Sequence, residues 1–301
     1  MRKKTLKIYE YTPILGWSTS RYGMFRTCKK KYFYHYYGKF DEEYPRSKIE
    51  ELKNLTSIPL EIGNIVHDTI RDILRRLLKS EKEIDKGRLF DYTRHTTETS
   101  CNSKTFDEVY YKKMDEVRVE DIFEKIIDRL YHFLDSDTFS FITTGALPSK
   151  GRWIIEQQGY GETRIEGMKA YCKVDFVFPV DDKIYILDWK TGRPDHEKHR
   201  KQLLGYAYWV FSEFDTPIAS IIPIIVYLNP QYKELRVEIG EGDIQGFARM
   251  MKRETEEMYA FCRDIEQNIP RPKEVFEKTD QLAICNYCNF KELCFPESMQ
   301  R

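Results

Sequence analysis

Two periods of apolar residues divide the chain. Up to about residue 150 they recur every third or fourth position, as on helices; from Arg152 they alternate or run together, as in strands. Residues 16–40 open on Ser18-Thr19-Ser20, able to cap a helix, and continue with Tyr22, Phe25, Tyr32, Phe33 and Tyr36 at helical spacing, Lys29 being the polar member of the stripe. This pattern predicts one helix with Cys28 inside it. Residues 64–78 predict an amphipathic helix whose stripe is Val66, Ile70, Ile73, Leu74 and Leu77, with His67 at its border. Residues 79–104 are polar and predict a loop, and 106–134 predict a further helix.

In the second regime, residues 153–157 and 163–166 predict strands. So do 172–180 and 183–190, rich in β-branched and aromatic side chains on either side of Asp181-Asp182. With those two residues as the turn, Val180 faces Lys183, Val177 faces Ile186 and Asp175 faces Asp188; a four-residue loop keeps the same register. Away from the acids both faces are apolar. Val174, Phe176, Phe178, Tyr185, Leu187 and Trp189 line one side, and Val177, Pro179, Ile184 and Ile186 the other. Such strands lie mid-sheet beneath helices. Residues 197–211 predict a covering helix, 220–228 a buried strand, 234–239 an edge strand and 243–268 a long helix, before a loop with Pro270 and Pro272 and a cysteine-rich end. The expectation is an α/β fold with a mixed central sheet flanked by helices.

That register sets two carboxylates side by side. Directly opposed residues on one sheet face have Cβ atoms roughly 5 Å apart, and like charges there destabilise the pair unless a positive group lies between them. Lys190, two residues beyond Asp188, points to the same face. A divalent cation held by Asp175 and Asp188, with the ammonium beside it, resolves the repulsion. Ordinary surface salt bridges would also do so, but these charges fall in the most apolar part of the sheet, where unpaired carboxylates are costly. The chemistry of a D-x(n)-D-x-K arrangement is phosphodiester hydrolysis: a metal polarises the phosphoryl group and acidifies water, and a lysine orients the nucleophile or stabilises developing charge.

Composition changes this picture little. The 301 residues suffice for one large domain or two small ones. No run of about 18 apolar residues could cross a bilayer, and the start MRKKTLKIYEYTP lacks the apolar centre of a signal peptide, so an intracellular protein with no membrane partner is expected. The formal net charge of 0 argues against coating nucleic acid, yet residues 1–40 hold ten Lys or Arg against Glu10 alone, with eleven aromatics. That mixture suits phosphate contact and base stacking, or equally a solvated helix face over buried rings. No G-x-x-x-x-G-K-[ST] loop is present in these residues, so no fused helicase or ATPase motor is expected.

Ile186-Leu187-Asp188-Trp189-Lys190-Thr191-Gly192, preceded by Lys173-Val174-Asp175 and followed by Gln202-Leu203-Leu204-Gly205-Tyr206, resembles the PD-(D/E)xK nucleases of the RecB group. The resemblance implies a restriction-endonuclease-like fold in which Asp175 and Asp188, with the Trp189 carbonyl, bind Mg2+ or Mn2+ and Lys190 is the catalytic lysine. It assigns Gln202 and Tyr206, one helical turn apart, to a helix that lies along the site and contacts DNA. Gly63-Asn64-Ile65-Val66-His67 is similar to the group's G-x-x-x-H, which makes His67 a further metal ligand; read alone, a histidine bordering an apolar stripe is more often a packed core residue. Many relatives carry an acid one turn later, where this chain has Arg71.

Cys285-x-x-Cys288-x5-Cys294 is the second strong signal, because three closely spaced thiols leave a tetrahedral or cubane site one ligand short. The chain resembles the four-cysteine members of the group, CRISPR-associated RecB-like enzymes and the AddB subunit, which carry one cysteine near the start and three near the end. That resemblance makes Cys28 the fourth ligand of a [4Fe-4S] cluster, with a structural Zn2+ as the alternative. Relatives commonly have proline after the first cysteine; this chain has Lys29. Cys101, Cys172 and Cys262 read as ordinary thiols.

The expected organisation is a single nuclease domain over 1–301. It comprises a basic aromatic segment (1–60), an inserted helical region (61–150), a nuclease core (151–240) and a C-terminal helix with the cysteine staple (241–301). The expected function is a metal-dependent DNA exonuclease acting on single strands or frayed ends in DNA repair, CRISPR adaptation or phage defence, with protein partners from such a complex. A non-catalytic DNA-end-binding scaffold and an RNA-directed nuclease are the rivals.

Overall fold

The computed structural model describes residues 7, 9–156 and 161–296. Helices α1 (Thr19–Thr27), α2 (Lys29–Tyr37), α3 (Arg46–Lys53), α4 (Ile58–Lys79), α5 (Lys86–Ser103), α6 (Asp107–Tyr110), α7 (Val119–Leu134) and α8 (Asp137–Phe141) come first. Strands β1 (Ile154–Ile155), β2 (Glu162–Ile165), β3 (Met168–Tyr171), β4 (Phe176–Val180) and β5 (Lys183–Lys190) follow. Then come α9 (His196–Phe214), β6 (Ile221–Tyr227), β7 (Lys233–Arg236), α10 (Glu241–Tyr259), β8 (Cys262–Asp264), β9 (Ile269–Pro270), α11 (Leu282–Cys285) and α12 (Lys291–Cys294). The chain divides into two compact units, one formed chiefly by residues 57–163 and 172–247, the other by 9–56, 164–171 and the chain from 248 onward.

The first unit is built on a mixed five-stranded sheet of order β1-β4-β5-β6-β7, in which only β5 and β6 run parallel. The β4–β5 register is the expected one, with Val180 opposite Lys183 and Val177 opposite Ile186; Phe176 opposite Leu187 is the last pair before the acids. Asp181 turns the chain at φ 51°. Phe176, Phe178, Leu187, Trp189, Ile224 and Val226 meet Val66, Ile70 and Leu74 of α4 and Ile126, Leu130 and Phe133 of α7 in one buried cluster. Each side chain of that size contributes about 1.5–3 kcal/mol by leaving water. Helix α9 packs against β6 with Leu203, Ala207 and Val210 buried.

Several sequence expectations give way here. Residues 86–103 are helical, because Leu89, Thr93 and Thr97 form a buried stripe whose threonines read as polar; the Thr97 hydroxyl donates back to the Thr93 carbonyl at 2.8 Å. The predicted 106–134 helix is two, α6 and α7, interrupted where Lys112 adopts φ 53°. Strand β3 was hidden by its place next to the central hairpin, and it forms a separate two-stranded sheet with β2. Gln157 of the predicted 153–157 strand lies outside the described residues.

In the second unit the predicted 16–40 helix breaks at Cys28, which is extended (φ −161°, ψ 113°). Its N–H closes α1 on Met24 O at 3.0 Å, while its Sγ accepts from Lys31 N at 3.4 Å and so caps α2. Of the two readings of the aromatic residues, burial favours the interior one: Tyr22, Phe25, Tyr32, Phe33, Tyr34 and Tyr37 are all buried. Phe25 meets Phe261, Phe33 meets Phe276 and Tyr34 meets Phe290, because large rings stabilise most when removed from water. The long C-terminal helix ends at Tyr259, and a short β8–β9 hairpin replaces its predicted last turns.

Candidate active site and cysteine cavity

Asp175 directly precedes β4, Asp188 and Lys190 stand at the end of β5, and His67 lies on α4. Helix α4 comes close because Gly63 has no side chain: a Cβ there would lie 3.2 Å from Thr191 Oγ1. One turn later His67 Nδ1 is 3.3 Å from Asp175 Oδ2, and the Trp189 N–H donates to that same oxygen at 3.0 Å. The Lys190 ammonium lies against Asp188 Oδ2. Gln202 Nε2 and the Tyr206 hydroxyl, both on α9, donate to Asp188 Oδ1 at 3.2 Å each. Tyr206 is buried. Both side chains the resemblance assigns to DNA are therefore turned onto a carboxylate.

Burial opposes the charge of His67, Asp175 and Asp188, and the neighbours decide the outcome. His67 is disfavoured as a cation by burial, but Asp175 and then Asp188 outweigh that and push its pKa up to about 9. Asp175 is likewise opposed by burial yet held below the usual carboxylate range by His67, Lys190 and the Trp189 amide. Asp188 is raised, by burial first and by the Asp175 charge, against the pull of Lys190. Asp188 Oδ2 is buried and makes no hydrogen bond of sound geometry, although the ammonium is beside it. An acidic oxygen so placed fits a cation. Among the described residues, however, no three His, Cys, Asp or Glu side chains meet around one point that could hold a metal ion. Here His67 and Lys190 supply the positive charge that the two carboxylates need.

Sequence reading missed Glu156. It follows β1 in the left-handed region (φ 37°), its N–H donates to the Asp175 carbonyl at 2.9 Å, and its carboxylate lies 3.4 Å from Arg71 and 3.8 Å from Lys173. A non-glycine residue held there costs of order 1–3 kcal/mol and clusters at functional sites. The signal was an acid closing the apolar run Trp153-Ile154-Ile155. Arg71, which stands where relatives have an acid, also pairs with Asp68 and with Asp72 at 3.4 Å.

In the second unit Cys28, Cys285, Cys288 and Cys294 line one cavity together with Lys31, Lys278, Lys291, Phe290 and Phe295. Burial pushes the Cys294 thiol up to about 11 and raises Cys288, with Cys28 adding to both. The walls of the cavity are tied by the protein itself. Asn289 Nδ2 donates to Leu52 O at 2.8 Å, the Tyr44 hydroxyl to Leu293 O at 3.1 Å, and Lys48 pairs with Glu292 at 2.6 Å. Cys172 and Cys262 are buried elsewhere and Cys101 is partly exposed.

A family model described as the PD-(D/E)XK nuclease superfamily matches residues 16–295. No curated protein matches the chain. Among solved structures, one titled "Crystal structure of SSO0001" is similar at 17% identity and a TM-score of 0.30, over 68% of this chain and 95% of that one. Among the described residues no helix is long and apolar enough to cross a membrane. The family match takes in the sheet with its paired carboxylates as well as both cysteine-bearing ends, and by it the chain belongs to the PD-(D/E)XK nuclease superfamily.

Proposed function

We propose that this nuclease is a DNA exonuclease acting on single strands or frayed ends, with Mg2+ or Mn2+ at Asp175 and Asp188 and a structural [4Fe-4S] cluster at the four cysteines. The observation that carries the reading is the carboxylate pair itself: a buried Asp188 against the Lys190 ammonium, with its Oδ2 left without a good donor, near a half-buried Asp175. In this reading His67 and the Trp189 carbonyl join the carboxylates as ligands. When bound, the metal supplies Lewis acidity and a more acidic water. Lys190 orients the attacking oxygen and stabilises charge at the phosphate. Gln202 and Tyr206 hold Asp188 in place, a positioning task rather than a DNA contact.

The four thiols line one cavity, the donor set that a [4Fe-4S] cluster takes, and a structural Zn2+ on the same four sulfurs is the alternative. In this reading the protein acts in repair, CRISPR adaptation or phage defence, with partners from such complexes.

The test is purified protein with end-labelled single-stranded DNA, duplex DNA and RNA, in Mg2+, Mn2+ or chelator, beside Asp188→Ala. Progressive shortening of DNA from an end, abolished by chelator and by Asp188→Ala, is the expected result. Binding without cleavage in either metal would return the chain to a scaffold, and cleavage of RNA alone would change the substrate.

A further inference from the structure

Arg129, on α7, is a half-buried cation with no acid to neutralise it. Its Nε donates to Thr191 O at 3.4 Å, Nη1 to Lys125 O at 2.5 Å and Nη2 to Asn229 Oδ1 at 2.8 Å. All three partners are neutral. Among the described residues no carboxylate forms an ion pair with it; Asp128, the one acid whose charge it feels, is exposed and lies 4.0 Å from His132 Nδ1. Burial accordingly pulls its pKa below the ordinary guanidinium value. The contrast with its neighbours is sharp, since Arg71 has three carboxylates and Lys190 has Asp188. A desolvated charge held only by carbonyl and amide dipoles is expensive to keep.

Its position gives the expense a reason. Thr191 directly follows Lys190, and Asn229 directly follows Leu228, whose N–H donates to the Lys190 carbonyl at 2.8 Å. Because β5 and β6 are parallel, both acceptors stand just past the carboxyl ends of neighbouring strands. In open α/β sheets that is where ligands bind. From Gly192 to His196 the chain is exposed, so this edge is open to solvent. A guanidinium has five N–H donors, and the three bonds above leave one on each terminal nitrogen, the donor set that two non-bridging oxygens of one phosphate take up.

We propose that Arg129 is a substrate clamp, binding through its two remaining N–H groups a backbone phosphate of the DNA strand next to the one being cut. The inference rests on the nuclease reading and adds to it a binding residue that the sequence motifs do not contain. Thr191 O, next to Lys190 at the end of β5, and Asn229 Oδ1, just past the parallel β6, fix the fork, so the bound strand and the catalytic lysine share one support.

The experiment measures binding of a fluorescent single-stranded oligonucleotide to full-length Asp188→Ala protein, in Ca2+ and over a range of salt. The same is done with Arg129→Gln and Arg129→Lys added, and thermal unfolding is recorded for each. Arg129→Gln is expected to weaken binding about tenfold and to flatten the plot of log Kd against log salt by about 0.7, the share of one phosphate contact on a single strand. Arg129→Lys keeps the charge without the fork, so the slope returns while binding stays weaker than the parent's; it carries the test should Arg129→Gln not fold. In the Asp188-intact protein KM should rise more than kcat falls. A slope and affinity indifferent to residue 129, with only the melting temperature lowered, would make Arg129 a structural brace and overturn the clamp. A parent protein that binds no DNA would overturn the nuclease reading, and with it the clamp, by a different result.

Discussion

The Tyr206 hydroxyl and Gln202 Nε2 converge on a single oxygen of Asp188, each at 3.2 Å, leaving the other oxygen to the Lys190 side. The geometry divides one carboxylate into a held half and a working half. A hydrogen bond to a charged group contributes about 1.5–3 kcal/mol, and about 1.4 kcal/mol is tenfold in rate. Tyr206→Phe keeps the ring and its packing, so its kcat should fall about tenfold while DNA affinity stays within twofold. If instead affinity fell and kcat held, Tyr206 would contact the strand directly.

Gly63 offers a test of how tightly α4 must approach. Replacing an exposed helical glycine by alanine usually stabilises by about 1 kcal/mol. At this position the new methyl would meet Thr191 Oγ1 at 3.2 Å, beside Lys190. Gly63→Ala should therefore leave the melting temperature unchanged or slightly raised and lower kcat severalfold, and Gly63→Val should abolish cleavage. Full activity in Gly63→Val would mean that the 190–192 loop moves freely of α4.

Much of this was legible because two strand-forming runs flank a short turn. Taking Asp181-Asp182 as that turn sets a single register, and the observed pairs from Val180–Lys183 to Phe176–Leu187 follow it up to the residues next to the acids. What escaped did so for physical reasons. Thr93 and Thr97 pack as apolar methyls in α5, which no polarity scale anticipates. Cys28 breaks a helix that periodicity alone would continue, because its sulfur can serve as the cap of the next one. Glu156 and Arg129 lie far from the D-x(n)-D-x-K motif in sequence and are brought to it only by strand order and by helix packing. The aromatic run in residues 22–37 carried two meanings, and burial chose the interior one.

His35 predicts how the second unit responds to acid. Burial, then the charges of Lys53, Lys31 and Arg21, push its pKa down from the ordinary 6.5 to about 4. Between those values the unfolded chain takes up a proton that the folded one refuses. His35 therefore leaves stability intact above about pH 6.5 and removes it as the pH falls toward about 4. His35→Gln cannot titrate, and between pH 7 and 5 its stability, followed by urea unfolding, should decline less than that of the wild type. Parallel curves would show that the imidazole is solvated and already protonates in the folded protein.

Cys28 separates a metal-bound staple from a set of spare thiols. Serine is among the best helix N-caps, so Cys28→Ser preserves the capping of α2 while removing the sulfur from the cavity. Any loss then belongs to the ligand rather than to the helix. A cluster bound at Cys28 and Cys294 closes a loop of most of the chain, which restricts the unfolded state in addition to the bonds themselves. Wild-type protein prepared without oxygen should be brown and contain iron and acid-labile sulfide, and Cys28→Ser and Cys285→Ser should lose colour and melting temperature together. Cys101→Ser, outside the cavity, should lose neither. Because burial pushes Cys294 up to about 11, binding must displace its proton, and reconstitution should be poorer at pH 6 than at pH 8. Colourless protein with stoichiometric zinc would exchange the cluster for a zinc staple, and full metal content in Cys28→Ser would remove Cys28 from the ligand set. The contacts of Asn289, Tyr44 and Lys48 across the same walls should keep the metal-free tail partly docked, so proteolysis of the variant should begin beyond residue 276 rather than at α2.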